Sequence, residues 1–218
     1  MTLTRPLLIS AALVAASAAL GGWAYAQLPE HAVVAIHFNA QGQPNGFADK
    51  ARAFAILPVV GAAVLALLAV LPRLRGQKGL EASQGPYGLM LVGISAVMLV
   101  SQAALVAHAL NGAVDVLRLV FVAVGALFAL LGNVLGKVRH NFVFGVRTPW
   151  TLMNETVWDK TNRFTGRLMF AAGLVLILAS LLAPNSAMLV GVMIACASVP
   201  ALAGVVYSWA IFPKAPTA

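Results

Sequence analysis

Phe54 to Leu71 reads FAILPVVGAAVLALLAVL, a stretch with no charged residue and no side chain able to donate a hydrogen bond. At 1.5 Å per residue, about 18 helical residues reach roughly 27 Å, close to the ~30 Å hydrocarbon layer of a bilayer. The stretch therefore predicts a membrane-spanning helix. Comparable runs lie on either side of it: Leu7–Gln27, Tyr87–Leu110, Val116–Leu135, Thr165–Ala183 and Ala187–Phe212. The expected fold is all-α, a multi-pass transmembrane bundle of about six spans. Only Pro184-Asn185-Ser186 separates the last two runs, so those spans form a tight antiparallel hairpin.

Composition agrees with that reading, since 61% of the 218 residues are hydrophobic and 9% are charged. A soluble domain carries about 25% charged residues. The net charge of +8 would suit nucleic acid, but the positions of the cations point elsewhere. Counted along successive spans, eleven of the fourteen Lys and Arg fall on one side: Arg5, Arg73, Arg75, Lys78, six from Lys137 to Arg167, and Lys214. Lys50, Arg52 and Arg118 fall on the other side, near Asp49 and Asp115. This bias follows the positive-inside rule. It predicts cytoplasmic termini, a cytoplasmic loop between spans four and five, and no direct contact with nucleic acid.

The first run also looks like a signal peptide, with Arg5 before it and Ala24-Tyr25-Ala26 at its end. Its apolar part, some 17 residues, is longer than the usual signal-peptide core, and it is read as a retained span. Cys196, the sole cysteine, excludes an intramolecular disulfide, and no cofactor or metal is expected. Gln102 and Asn133 are the main polar residues within spans. Pro58 and Pro200 also lie within spans, where neighbouring helices are expected to satisfy the freed carbonyls. Gly132 and Gly136 are spaced for close approach of another helix, which is read as ordinary packing.

Two polar segments remain. In the first, Leu28 to Lys50, an extended stretch Val33–Phe38 precedes a turn-rich run, Gln41 to Gly46, which predicts a small hairpin-like outer lobe. His37 and Asn39 share one face of the extended stretch, and with Lys50 they form a candidate site for an anionic group. Hydrogen bonding of His37 and Asn39 to turn backbone is the plainer alternative. A metal site from Glu30, His31, His37 and Asp49 lacks any sign of convergence. The residues Leu28-Pro29, Ile36-His37-Phe38-Asn39, Gly42, Pro44-Asn45-Gly46 and Lys50 resemble a small domain of unknown function that often precedes an SdpI domain.

The second segment, Lys137 to Arg167, combines six basic residues with Trp150 and Trp158. Thr148-Pro149 must be extended or turned, because the residue before proline is pushed out of the helical region. A helix is expected from about Asn154, with Asp159 and Arg163 as an i,i+4 pair. Val157, Trp158, Thr161 and Phe164 share a face placed against the membrane. Arg147 sits in an irregular segment where its planar fork suits a phosphate or carboxylate.

The run Gly132-Asn133, Gly136-Lys137, Asn141-Phe142, Gly145 to Leu152, Val157-Trp158, Lys160-Thr161, Arg163 and Gly166 resembles the SdpI family. Asn162 departs from the pattern, since many members have His there. The resemblance marks Asn141, Arg147, Thr148, Pro149, Trp150, Trp158 and Arg163 as candidate binding residues of the cytoplasmic loop. It divides the chain into 1–53, with the first span and outer loop; 54–115, with spans two and three; and an SdpI-like 116–218, with the loop 136–164. It further implies an immunity protein of the cell membrane, with a secreted, membrane-active peptide toxin as partner outside and a small repressor protein as partner inside. A small-molecule or lipid transporter or another membrane envelope protein is the alternative, but a transporter should show midplane polar residues and internal repeats. No enzyme signature such as H-E-x-x-H or G-x-S-x-G is present, and no enzymatic activity is expected.

Overall fold

The computed structural model describes residues 3–74 and 78–213. Arg75 and Lys214, two of the cations counted above, lie outside the described residues, and the side chain of Lys78 is likewise not described. In chain order the elements are α1 (Thr4–Gln27), β1 (Val33–Phe38), β2 (Pro44–Asp49), α2 (Lys50–Leu74), α3 (Lys78–Glu81), α4 (Gln84–Leu110), α5 (Val116–Leu135), α6 (Pro149–Met153), α7 (Glu155–Leu182) and α8 (Ser186–Ala210). Six of the helices are long and apolar enough to cross a membrane, and the protein is a multi-pass helical bundle.

The bundle has two halves. α1 packs along α4 and α2, α7 packs along α5 and α8, and the α4–α5 contact joins the halves. One end carries the β-hairpin and the short connections after α4 and α7. The opposite end carries the basic segment between α5 and α7, and is called the basic end below. Side-chain caps start the helices where the sequence changes character. Asp115 accepts from the Arg118 amide, Asn154 from Val157 and Asn185 from Met188, each satisfying an amide that has no intrahelical partner.

Small residues set the interface between α5 and α7. A Cβ on Gly132 would lie 2.4 Å from the Phe170 nitrogen, and one on Gly173 would lie 2.5 Å from the Gly125 carbonyl. Gly125 and Gly132 on α5 thus face Gly173 and Gly166 on α7, each pair seven residues apart. Lipid tails are as apolar as leucine, so the association of membrane helices depends on such close packing rather than on hydrophobic burial. Gly132 and Gly136, read from sequence as ordinary packing residues, belong to this intramolecular seam.

Proline is accommodated by polar partners on α4. Pro58 has no N–H for the Phe54 carbonyl four residues earlier, and Gln102 Nε2 donates to that oxygen at 3.2 Å. Pro72 likewise frees the Leu68 carbonyl, which accepts from Tyr87 Oη at 2.6 Å. α2 consequently continues past Pro72 to Leu74, three residues beyond the span end read at Leu71. Gly21 on α1 leaves the room for this arrangement, since a Cβ there would lie 2.6 Å from Gln102 Nε2. Asn133, the other polar residue expected within the spans, is exposed on α5.

Candidate functional sites at the two ends of the bundle

The hairpin pairs β1 with β2 antiparallel, Val33 opposite Asp49 and Ala35 opposite Phe47, with irregularities on either side of His37. The turn is tighter than the sequence suggested. Pro44, Asn45 and Gly46 belong to β2, and the reversal runs from Asn39 to Gln43, with Gly42 at φ +79°. Asn39 Oδ1 accepts from the Gln41 and Gln43 amides at 3.0 and 2.9 Å, which places Asn39 in the turn itself. His37 Nδ1 donates to Asn45 Oδ1 at 2.5 Å, and the His37 Cβ crosses Gly46 so closely that an added Cβ would be 2.8 Å away.

Lys50 is not part of that group. It begins α2, next to the Val33–Asp49 pair, about 13 Å along the strand from His37 at ~3.3 Å per residue. Its Nζ donates to the carbonyls of Tyr25 and Leu28 at 3.1 and 2.8 Å and lies 4.2 Å from the Tyr25 ring centroid. The residue is buried and caps the C-terminal end of α1, where the helix dipole is negative. His37, Asn39 and Lys50 therefore do not converge on one anion. The other two cations at this end are also engaged. Arg52 pairs with Asp49 at 3.3 Å, and Arg118 pairs with Asp115 at 2.9 Å while donating to the carbonyls of Ser180, in the last turn of α7, and Ala183, just past its end.

The hairpin reaches across both halves of the bundle. Val34 packs with Ala24, Ala53, Phe54 and Leu105 at its base, and Phe38 meets the His108 ring edge-on at 5.0 Å. At its tip Gly42 lies against Ser186, the first residue of α8, where a Cβ would be 2.6 Å from Oγ. Beneath it lies an apolar cavity of about 290 Å³, lined by Ile36, Phe38, Ile56, Leu105 and Val120 among others. Val33 and Phe47 are more than half exposed. Among the described residues, no three His, Cys, Asp or Glu come together as metal ligands.

At the basic end the segment from Gly136 to Asn154 is folded around buried side chains. Asn141 Oδ1 accepts from the Val143 and Phe144 amides at 2.7 and 2.8 Å, while its Nδ2 donates to the Arg139 and Phe144 carbonyls. Thr148 is extended, as its place before Pro149 demands, and caps α6 in a reciprocal box with Thr151. Its hydroxyl also lies 3.0 Å from Ser208 Oγ on α8, tying the loop to the last span. Arg139 N donates to Ser83 Oγ at 2.8 Å and so fixes the loop to the segment before α4.

Trp158 corrects an expectation. Instead of lying on the membrane with Val157 and Thr161, it is fully buried, and its Nε1 donates to the Val138 carbonyl at 2.8 Å. Val157 and Thr161 are buried as well, and Phe164 stacks on Tyr207 of α8. Gly145, at φ +122°, lies against the Trp158 ring, where an added Cβ would be 2.8 Å from Cζ2. Asn162 completes this core by accepting the Val146 amide at 2.9 Å and donating to the Trp158 carbonyl. The roles of Asn162 and Thr151 were not read from sequence, although Thr151 stands three residues after Thr148, the spacing of a capping box.

Of the loop residues singled out from sequence, Asn141, Thr148 and Trp158 are thus buried in the loop's own framework. Arg147, Pro149 and Arg163 are exposed and Trp150 is half-buried. Arg147 Nη1 donates to the Phe142 carbonyl at 2.8 Å, and the remaining N–H groups of its guanidinium have no partner among the described residues. Arg147 also lines a cavity of about 390 Å³ with Phe128, Phe144, Thr165, Cys196 and Pro200. Asp159 and Arg163 form no ion pair. Among the described residues, the ion pairs are Arg52–Asp49 and Arg118–Asp115, both at the hairpin end.

A six-helix bundle with a hairpin strapped across one end and a folded basic loop at the other defines a polytopic membrane protein. Residues 137–212 match the SdpI/YfhL protein family and residues 12–62 match the domain of unknown function DUF1648. The chain is 33% identical over 63 residues to the Immunity protein SdpI of Bacillus subtilis (strain 168), a stretch covering 29% of this chain and 30% of that relative. No solved structure gives a significant match.

Proposed function

We propose that the protein is an immunity protein of the cell membrane, protecting its host against a membrane-active peptide toxin. The observation that carries this reading is the hairpin's position. It is anchored on α1, α2 and α4, and its tip lies against α8, so a ligand held there contacts both halves of the bundle at once. The exposed Val33 and Phe47 supply apolar surface suited to an amphipathic peptide. The likeness to a relative named as an immunity protein supports the same reading.

In this account the hairpin faces outside and the basic end faces the cytoplasm. The hairpin-end cations cap helices or pair with aspartates, so they oppose the positive-inside bias weakly. The free guanidinium edge of Arg147, beside exposed Pro149 and half-buried Trp150, is the surface offered to a small repressor protein inside. The chain acts by binding and performs no chemistry. Deleting its gene should sensitise the host to such peptides with growth otherwise unchanged. Unaltered sensitivity across a panel of membrane-active peptides would refute the immunity reading.

A further inference from the structure

We propose that the groove between α5 and α7 at the basic end binds the phosphate of an anionic phospholipid from the adjacent leaflet. The groove has a volume of about 490 Å³, and Gly132, Gly136 and Gly166 line it without side chains. Lys137, just past the end of α5, and Arg163 and Arg167, one turn apart on α7, supply its charge. Arg163 lies with its stem against Gly136, where a Cβ would be 2.9 Å from Cγ. All three cations are exposed, and none has a hydrogen-bonding or ion-pairing partner in the described chain.

Charge without an internal partner, gathered over a glycine floor, has the form of an anion site. Its position selects a lipid. Asn133 and Phe170 line the same groove, and beyond Phe170 the surface of α7 becomes wholly apolar, with Leu174, Val175 and Leu178 exposed. A phosphate held by Lys137 and the two guanidinium forks would leave its acyl chains along that apolar surface, as a bilayer lipid requires. The glycine seam that joins α5 to α7 also shapes the recess. The site requires neither toxin nor repressor and extends beyond the immunity reading.

The full chain in detergent, titrated by native mass spectrometry with phosphatidylglycerol, tests the proposal. Phosphatidylcholine of the same acyl composition and inorganic phosphate serve as the comparison ligands. Phosphatidylglycerol should be retained in preference to phosphatidylcholine and should not be displaced by phosphate. Arg163→Gln and Arg167→Gln should each weaken retention by about fivefold, while Arg139→Gln, outside the groove, leaves it unchanged. Lys137→Gln replaces either arginine variant that fails to fold. Equal retention of the two lipids, equal weakening by Arg139→Gln, or displacement by inorganic phosphate would each overturn the assignment.

Discussion

Gln102 Nε2 on α4 donates to the Phe54 carbonyl on α2, the acceptor that Pro58 leaves without its helical amide. A polar side chain that sequence alone places inside a membrane span is thereby explained by a proline 44 positions earlier in the chain. The same logic joins Tyr87 to the Leu68 carbonyl freed by Pro72.

Gln102→Leu should lower the thermal stability of the detergent-solubilised protein, by about 1 kcal/mol for the lost interhelical bond. Pro58→Ala returns an amide to the Phe54 carbonyl, so Gln102→Leu made on that background should cost less. Additive losses in the double variant would show that Gln102 and Pro58 are not coupled through this carbonyl.

The glycine seam makes a sharper contrast. Gly132→Leu places a side chain where even a Cβ would meet the Phe170 backbone at 2.4 Å, and should destabilise by about 3 kcal/mol or more. Gly191→Ala on α8 meets nothing within 4 Å and should stay within about 1 kcal/mol of the parent. Thermal melting of both variants in one detergent distinguishes them, and similar melting points would contradict the close crossing.

The spans were legible because each is an uninterrupted apolar run, and a bilayer imposes that length whatever the tertiary packing. Polar details were harder to read. Pro44-Asn45-Gly46 has the composition of a turn, yet Gly46 serves in β2 to pass the His37 side chain. The face bearing Val157, Trp158 and Thr161 was found correctly as a face, but helical periodicity does not say whether a face meets lipid or protein. Lys50 and Arg118 were grouped by their nearness to Asp49 and Asp115. That they cap α1 and α7 depends on contacts 22 and 65 residues apart, which no local pattern encodes.

Arg147 tests the candidate inner surface. Arg147→Lys keeps the charge but loses the planar fork, and should weaken repressor capture or toxin protection by about 1 to 3 kcal/mol in the binding step. Arg139→Lys, at matched membrane abundance, should have little effect. Near-normal activity in both variants would return Arg147 to the class of ordinary interfacial charges.

Orientation underlies the whole account, since a toxin outside and a partner inside require the hairpin and the basic loop to lie on opposite sides of the cell membrane. With Cys196 replaced by Ala, single cysteines at Gln41 in the hairpin turn and at Met153, exposed at the end of α6, report the two ends directly. In intact cells, a membrane-impermeant maleimide should label Gln41→Cys and reach Met153→Cys only after permeabilisation. Labelling of Met153→Cys in intact cells, with Gln41→Cys protected, would contradict the account.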